Sequence, residues 1–247
     1  MALTKASLID LNGQELILDA DADTSITADT DDQIDFKVGG TDRLSLGSDG
    51  KLAVTEISHI TSGNLEIGNG DEKQVFNATS AFIQFQTNDT EAMRIDSAGH
   101  VTKPLQPSVH VELASPQNNI PINTNQTVHF NNEIFDVNSD FDTSTYTFTA
   151  PVTGKYLVST NVRMESVPTD FQYYYLYLVT SNGNRWGDLM GQGSQYFSSA
   201  PLYVTMGFTC VADMDANDTA FIRIYQGGGT AQMDIDSNSN FCIQLLS

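Results

Sequence analysis

A chain of 247 residues with 31 acidic against 11 basic side chains, a formal net charge of −20, is long enough to bury a substantial core. It is too acidic to neutralise phosphates, which excludes nucleic-acid binding and attachment to anionic membranes. Thr, Ser, Asn, Asp and Gly are abundant, Lys, Glu and Leu are scarce, and no window of a dozen residues sustains apolar positions at helical spacing, so an all-β protein with very little helix is expected.

The N-terminal segment 1–14 has no basic cluster followed by an apolar run, so no signal peptide is expected there. From residue 15 the chain repeats itself. An offset of 49 residues aligns 15–52 with 64–101, placing Leu16 on Leu65, Thr30 on Thr79, Ile34 on Ile83, Phe36 on Phe85, Thr41 on Thr90, Ser48 on Ser97 and Gly50 on Gly99. Similar apolar residues align between them: Leu18 with Ile67, Ile26 with Val75, Leu44 with Met93, Leu46 with Ile95 and Leu52 with Val101. The spacing is mostly two, the period of a strand. Ser-Asp-Gly at 48–50 and Ser-Ala-Gly at 97–99 predict turns whose glycines take positive φ. Leu65 to Ile67 predicts a short strand inside the turn-rich 61–73. Neither copy holds enough large apolar residues to close a core from one chain, so the repeats call for partners or stacking. Ile34, Phe36, Ile83 and Phe85 are the candidate interface residues.

The pattern I-x-F, a polar turn, a short apolar strand and then S-x-G-(H/K)-V, strongest at AMRIDSAGHV (92–101), resembles the β-repeats of bacteriophage tail and virion fibres. That resemblance implies a slender, intertwined trimeric stalk over 15–103, attached to other virion proteins through the N-terminal region.

Pro104 and Pro107 remove backbone donors and restrict the residues before them to extended conformations, which marks 104–107 as a linker. Beyond it, 108–114, 127–130 and 133–137 alternate as strands. In Phe130 to Met164, Tyr146, Phe148 and Ala150 alternate with threonines, Pro151 and Gly154 bracket a turn, and Tyr156, Val158, Thr160 and Val162 resume the alternation: a strand, a turn and a strand. YYYLYLV (173–179), a turn at 181–184, and strands at 201–212, 219–226 and 240–247 complete a set of eight to ten. The glycine-rich stretch 185–200 fits no clear strand. No segment reaches bilayer-spanning length, so no membrane insertion is expected.

The order apolar-Asp, Phe-Asp, Phe-Thr-Ala-Pro-Val-Thr-Gly-Lys-Tyr, and the ending with Phe241, Ile243 and Leu245 alternating, resemble the globular domain of the complement C1q and tumour necrosis factor superfamily. That resemblance implies a trimerising jelly roll over 108–247. Asn217-Asp218 stands where the family has Gly-Asp, which puts the geometry of that turn in question.

Catalytic, cofactor and metal sites are not expected. Asp19, Asp21 and Asp23 alternate like calcium ligands, but Thr24 and Thr30 occupy the positions where an EF-hand needs glycine and glutamate, so a solvated strand face is expected. The four histidines lie far apart in sequence, Cys210 and Cys242 have no neighbouring His, and no nucleophile elbow, phosphate loop or dinucleotide fingerprint occurs. Free thiols are the expected state of the two cysteines.

Aromatic residues are the remaining functional candidates. Tyr173, Tyr175 and Tyr177 lie on a strand with tyrosine on both faces, so some must leave the core and meet a neighbouring subunit or a ligand; with Phe241, Ile243 and Leu245 they are the candidate core or trimer-interface residues of the head. Trp186, Tyr196 and Phe197 are the receptor-binding candidates, aromatic platforms for a host-surface glycan or protein.

These readings combine into one expectation: an all-β, homotrimeric phage fibre protein, not an enzyme, assembled in the host cytoplasm and exposed on the virion, with a β-repeat stalk and a receptor-binding jelly-roll head. Its alternatives are a decoration or fibre protein without receptor contact, and a polysaccharide depolymerase.

Overall fold

The computed structural model describes residues 15–27, 33–47, 52–54, 64–69, 71–77, 80–183 and 185–247. The attachment segment 1–14 and the turn expected at Ser48 to Gly50 lie outside the described residues.

The first repeat folds as an antiparallel meander of β1 (Leu16–Ile17), β2 (Ser25–Thr27), β3 (Ile34–Val38), β4 (Thr41–Leu46) and β5 (Leu52–Val54), hydrogen-bonded in that order. The second repeats it with β6 (Asn64–Asn69), β7 (Glu72–Asn77), β8 (Phe82–Thr87), β9 (Thr90–Ile95) and β10 (Val101–Thr102). The 49-residue offset carries β4 onto β9 residue for residue. Their central hairpins close through two-residue turns with both residues left-handed, Gly39 (φ 61°) and Gly40 (φ 70°) in one copy, Asn88 (φ 50°) and Asp89 (φ 53°) in the other. Such turns match the twist of the paired strands, and Gly, Asn and Asp are the residues that tolerate them. Gly99 has the expected positive φ, 87°.

Register is shared as well. Ile34 lies across from Leu46 and Phe36 from Leu44, just as Ile83 lies across from Ile95 and Phe85 from Met93, and both ladders bulge after the phenylalanine. One strand departs from the sequence alignment of Ile26 with Val75. Ile26 faces Phe36 across its ladder, whereas Phe76 faces Ile83 and Val75 faces Gln84. A one-residue slip of β7 has put Phe76 into the apolar row and turned Val75 to the opposite face.

Residues 103–106 turn onto the last module and are tied to it. Gln106 Nε2 donates to the Leu245 carbonyl (2.6 Å), Asn138 Nδ2 to the Leu105 carbonyl (3.0 Å) and the Leu245 amide to the Pro107 carbonyl (3.0 Å).

The last module contains β11 (Ser108–Glu112), β12 (Asn125–Thr127), β13 (Asn132–Asp136), β14 (Phe141–Asp142), β15 (Thr147–Thr149), β16 (Gly154–Glu165), β17 (Tyr173–Thr180), β18 (Arg185–Met190), a helical turn α1 (Gly193–Tyr196), β19 (Tyr203–Met214), β20 (Thr219–Gly227), β21 (Asp234–Ile235) and β22 (Asn240–Leu245). One six-stranded sheet runs β13-β11-β22-β16-β19 with β21 beside β16; the other runs β14-β15-β20-β17-β18 with β12 beside β20. The C-terminal strand lies between β11 and β16, the crossing pattern of a jelly roll. Val109, Val111, Tyr156, Val158, Val162, Met164, Phe241 and Ile243 from the first sheet meet Phe148, Tyr174, Leu176, Leu178, Ala220, Ile222 and Ile224 from the second in a single core.

Four local expectations are corrected. Tyr146 does not continue the strand of Phe148: it sits in the preceding turn at φ 59°, its ring stacked 4.3 Å from that of His129. The strand expected at 127–130 runs instead over 125–127, because Gln117 takes up the next backbone groups, donating to the Thr127 carbonyl (3.1 Å) and accepting from the His129 amide (3.0 Å). The stretch 185–200, read as strandless, supplies β18 and α1. Asp19 to Asp23 form a bend between β1 and β2, not a strand face, with Ala22 at φ 63°. The Asn217-Asp218 turn is well formed: Asn217 takes φ 73°, and the Asp218 carboxylate accepts from Ser181 Oγ (2.6 Å) and the Asp215 amide (2.9 Å).

Candidate assembly and binding surfaces

In the first meander the registers string Leu16, Ile26, Phe36, Leu44 and Val54 into one row across all five strands, with Ile34, Leu46 and Leu52 beside it. In the second meander the registers align Leu65, Phe76, Ile83, Ile95 and Val101, the last three at the positions that Ile34, Leu46 and Leu52 hold in the first. Cross-strand alignment of this kind puts the residues on one face of each sheet. In the single chain Leu16, Ile34, Phe36, Leu46, Leu52, Phe85 and Val101 remain exposed, Phe36 at 40% and Phe85 at 37%. Ile83 is half-buried. The other face is mostly polar, with Val75 buried on it in the second copy. Asp35, buried, accepts from Gln33 Nε2 at 2.8 Å and from the Ser45 hydroxyl, and these hydrogen bonds, the Ser45 one foremost, hold its carboxyl below the usual range. At the matching place in the second copy Glu91 accepts from Gln84 Nε2 (3.0 Å) and pairs with Arg94, whose guanidinium lies 4.2 Å over Phe82.

The head exposes two sheet faces of different character. Outward positions on the first sheet include Leu157 directly across from Val211, and His110 across from Phe135 with ring centroids 5.7 Å apart. Phe135, Val211 and Tyr203 are each more than 40% exposed. Arg163 on this face donates from Nε (2.9 Å) and Nη2 (2.6 Å) to Asp236 and stacks 4.6 Å over Tyr203. Burial pushes the Asp236 carboxyl up, but Asn238 and Arg163 together outweigh it and hold the group below its ordinary value.

The second sheet carries aromatic residues on both faces. Tyr174 is the core tyrosine of β17; burial pushes its hydroxyl above the ordinary tyrosine value. Tyr173, Tyr175 and Tyr177 alternate with it and point outward, so none belongs to the core. Tyr175 lies across from Tyr225, Tyr177 from Arg223 and Val179 from Phe221. Two stacked pairs result, Tyr175 with Tyr177 at 4.5 Å and Tyr173 with Tyr225 at 5.5 Å. Tyr177 is 2% exposed despite its outward position, and its hydroxyl donates to Asn125 Oδ1 (2.8 Å). Gly187 and Gly227 make room: a Cβ at Gly187 would meet the Leu176 carbonyl oxygen at 2.3 Å and Tyr177 Cβ at 2.6 Å, and one at Gly227 would meet the Tyr173 ring at 2.6 Å.

The remaining candidates are scattered. Phe241 and Ile243 are core residues, and Leu245 packs against the core from the edge. Trp186, on β18, and Phe197 also pack against the core, leaving Tyr196 (61% exposed) as the exposed member of the proposed receptor trio. Asp19, Asp21 and Asp23 each offer an oxygen within 4.8 Å of the others, all three with the side chains at the surface. Cys210 and Cys242 are free. Burial pushes the Cys210 thiol up to about 11 and, with Glu112 nearby, raises that of Cys242.

No curated protein matches the chain by sequence. Among solved structures, the globular domain of zebrafish complement 1qA protein is similar over 57% of this chain and 98% of its own, at 18% identity and a TM-score of 0.41. Murine APRIL is similar over 57% of this chain and 99% of its own, at 12% identity and a TM-score of 0.40. The sequence model of the C1q domain matches residues 112–246, more than half the chain and nearly all of the jelly roll, and on that match the protein belongs to the C1q domain family.

Proposed function

We propose that the protein is a homotrimeric fibre: three copies pack their repeat meanders into a stalk, and three C1q heads present equivalent binding surfaces at its end. The observation that carries this reading is the apolar row that crosses the strands of each meander without closing in a single chain: Leu16, Phe36 and Val101 are exposed, and Ile26, Leu44, Val54, Phe76, Ile83 and Ile95 are half-buried. Fully burying a Phe, Leu or Ile side chain contributes about 1.5–3 kcal/mol, so a face of this composition favours association strongly. C1q-like domains commonly form homotrimers, and the outer face of the first sheet, with Leu157, Val211 and Phe135, supplies a matching contact in the head. Its mode of action is binding, and three weak sites on one particle multiply affinity through avidity.

The setting we infer is a phage virion, with the stalk held by other virion proteins and the head directed at the host surface. The resemblance of AMRIDSAGHV to fibre repeats supports it. Competition tests it: purified protein added to host cells ahead of the particles is expected to slow adsorption. Unchanged adsorption, with antibody to the head decorating the particles, leaves a fibre that contacts no receptor.

A further inference from the structure

The outer face of the β14-β15-β20-β17-β18 sheet has a composition that solvation alone does not explain. In a sandwich the outward positions are ordinarily polar. Here β17 and β20 direct Tyr173, Tyr175, Tyr177, Val179, Phe221, Arg223 and Tyr225 outward. The rings are held in place before any partner arrives, by the two stacked pairs, by the Tyr177 hydrogen bond to Asn125 and by the clearance at Gly187 and Gly227.

Charge singles out the same face. The head has four basic residues: Lys155 pairs with Asp213 (3.3 Å), Arg163 pairs with Asp236, and Arg185 stands on β18 across from Val179, in the same sheet as Arg223. Arg223 makes no ion pair among the described residues, its Nε is buried without an acceptor, and its guanidinium rests 4.9 Å over the Phe221 ring. The outward strand positions beside it are Tyr175, Tyr177, Tyr225, Gly187, Leu189, Asn125 and Thr127, with no carboxylate among them. A cation kept unpaired in a protein of net charge −20 calls for an acceptor brought by something else.

We propose that this face binds a saccharide bearing a carboxylate, with sugar C–H faces against Tyr175, Tyr173 and Tyr225 and the carboxylate on the Arg223 guanidinium. A further copy of the chain fits less well. The surfaces assigned to self-association are rich in Leu, Ile and Val, whereas this one combines tyrosine hydroxyls, an Asn amide and one arginine, donors and flat rings suited to a ligand of alternating hydroxyls and C–H faces. The inference rests on the head being the binding end of the molecule, but not on the repeats assembling.

Calorimetry with an oligogalacturonate and a neutral maltooligosaccharide of equal length, on full-length protein of measured mass, tests it. The acidic oligomer is expected to bind at least roughly tenfold more tightly, the worth of one charge-assisted hydrogen bond. Arg223→Gln is expected to erase that difference, Tyr175→Ala to weaken both ligands, and Tyr175→Phe, which keeps the ring, to retain binding and report that the face is folded. Absence of binding by either sugar, equal affinity of wild type and Arg223→Gln for the acidic one, or binding only of an acidic peptide each overturns the proposal. A trimer that binds neither sugar sinks this inference alone, while a monomer that binds the acidic sugar sinks the assembly reading and leaves this one standing.

Discussion

Asn217 replaces the glycine of the family's turn and does its work by adopting φ 73°, a conformation that Asn tolerates better than any residue with a branched or bulky side chain. Asn217→Gly is expected to leave stability nearly unchanged and Asn217→Ala to remove about 1 kcal/mol, read from urea unfolding of the full chain. Asp142 heads a tight turn in which its carboxylate accepts from the Ser144 hydroxyl (2.6 Å), the Ser144 amide (2.8 Å) and the Thr145 amide (3.4 Å). Those bonds, the hydroxyl's first, lower its pKa from 3.8 to about 2. A carboxyl depressed on folding stabilises above its unfolded pKa and loses that contribution as pH falls through the folded one. Stability from Asp142 is therefore expected to drain between about pH 4 and pH 2, and Asp142→Asn to lessen the fall of the denaturation midpoint across that window, with Asp35 and Asp236 supplying part of the rest. Tyr146 shows where single residues were illegible: its alternation with Phe148 and Ala150 reads as strand, and the structure bends it away at φ 59° to stack on His129, a long-range contact that sequence spacing does not encode.

At the scale of elements, period-two patterning and turn chemistry carried most of the repeat. The I-x-F segment, the polar turn after it and the short apolar strand beyond were legible in both copies, and the structure forms them as β3, β4, β8 and β9 around the Gly39-Gly40 and Asn88-Asp89 turns. The slip of β7 was hidden because Val75 and Phe76 are adjacent and both apolar, so either could face the row. β18 was hidden because Gly187 and Asp188 break the alternation of RWGDLM; the glycine is there for the tyrosines of the neighbouring strand. That same reason moved Trp186 from an imagined loop platform to the edge of the core. Of the proposed interface, Phe36 and Phe85 occupy equivalent sites, each followed by the bulge. Phe36→Ser with Phe85→Ser is expected to dissociate the assembly while leaving the head's near-UV circular dichroism and unfolding transition intact, since no described residue of the repeats belongs to the head core.

For the whole molecule, two features pull in opposite directions. A net charge of −20 per chain makes copies repel, strongly at low salt, while the open apolar faces of two meanders and one head sheet favour bringing them together. The head closes its own core and needs no partner to fold; the repeats do not, and each leaves its apolar row to be covered from outside. In the proposed trimer this asymmetry makes the repeats the part that requires assembly and the head the part that gains multiplicity from it. Sedimentation equilibrium of the purified full-length chain measures the outcome directly. The account predicts three times 26.9 kDa, about 81 kDa, at micromolar concentration, and a species of 26.9 kDa under those conditions contradicts it.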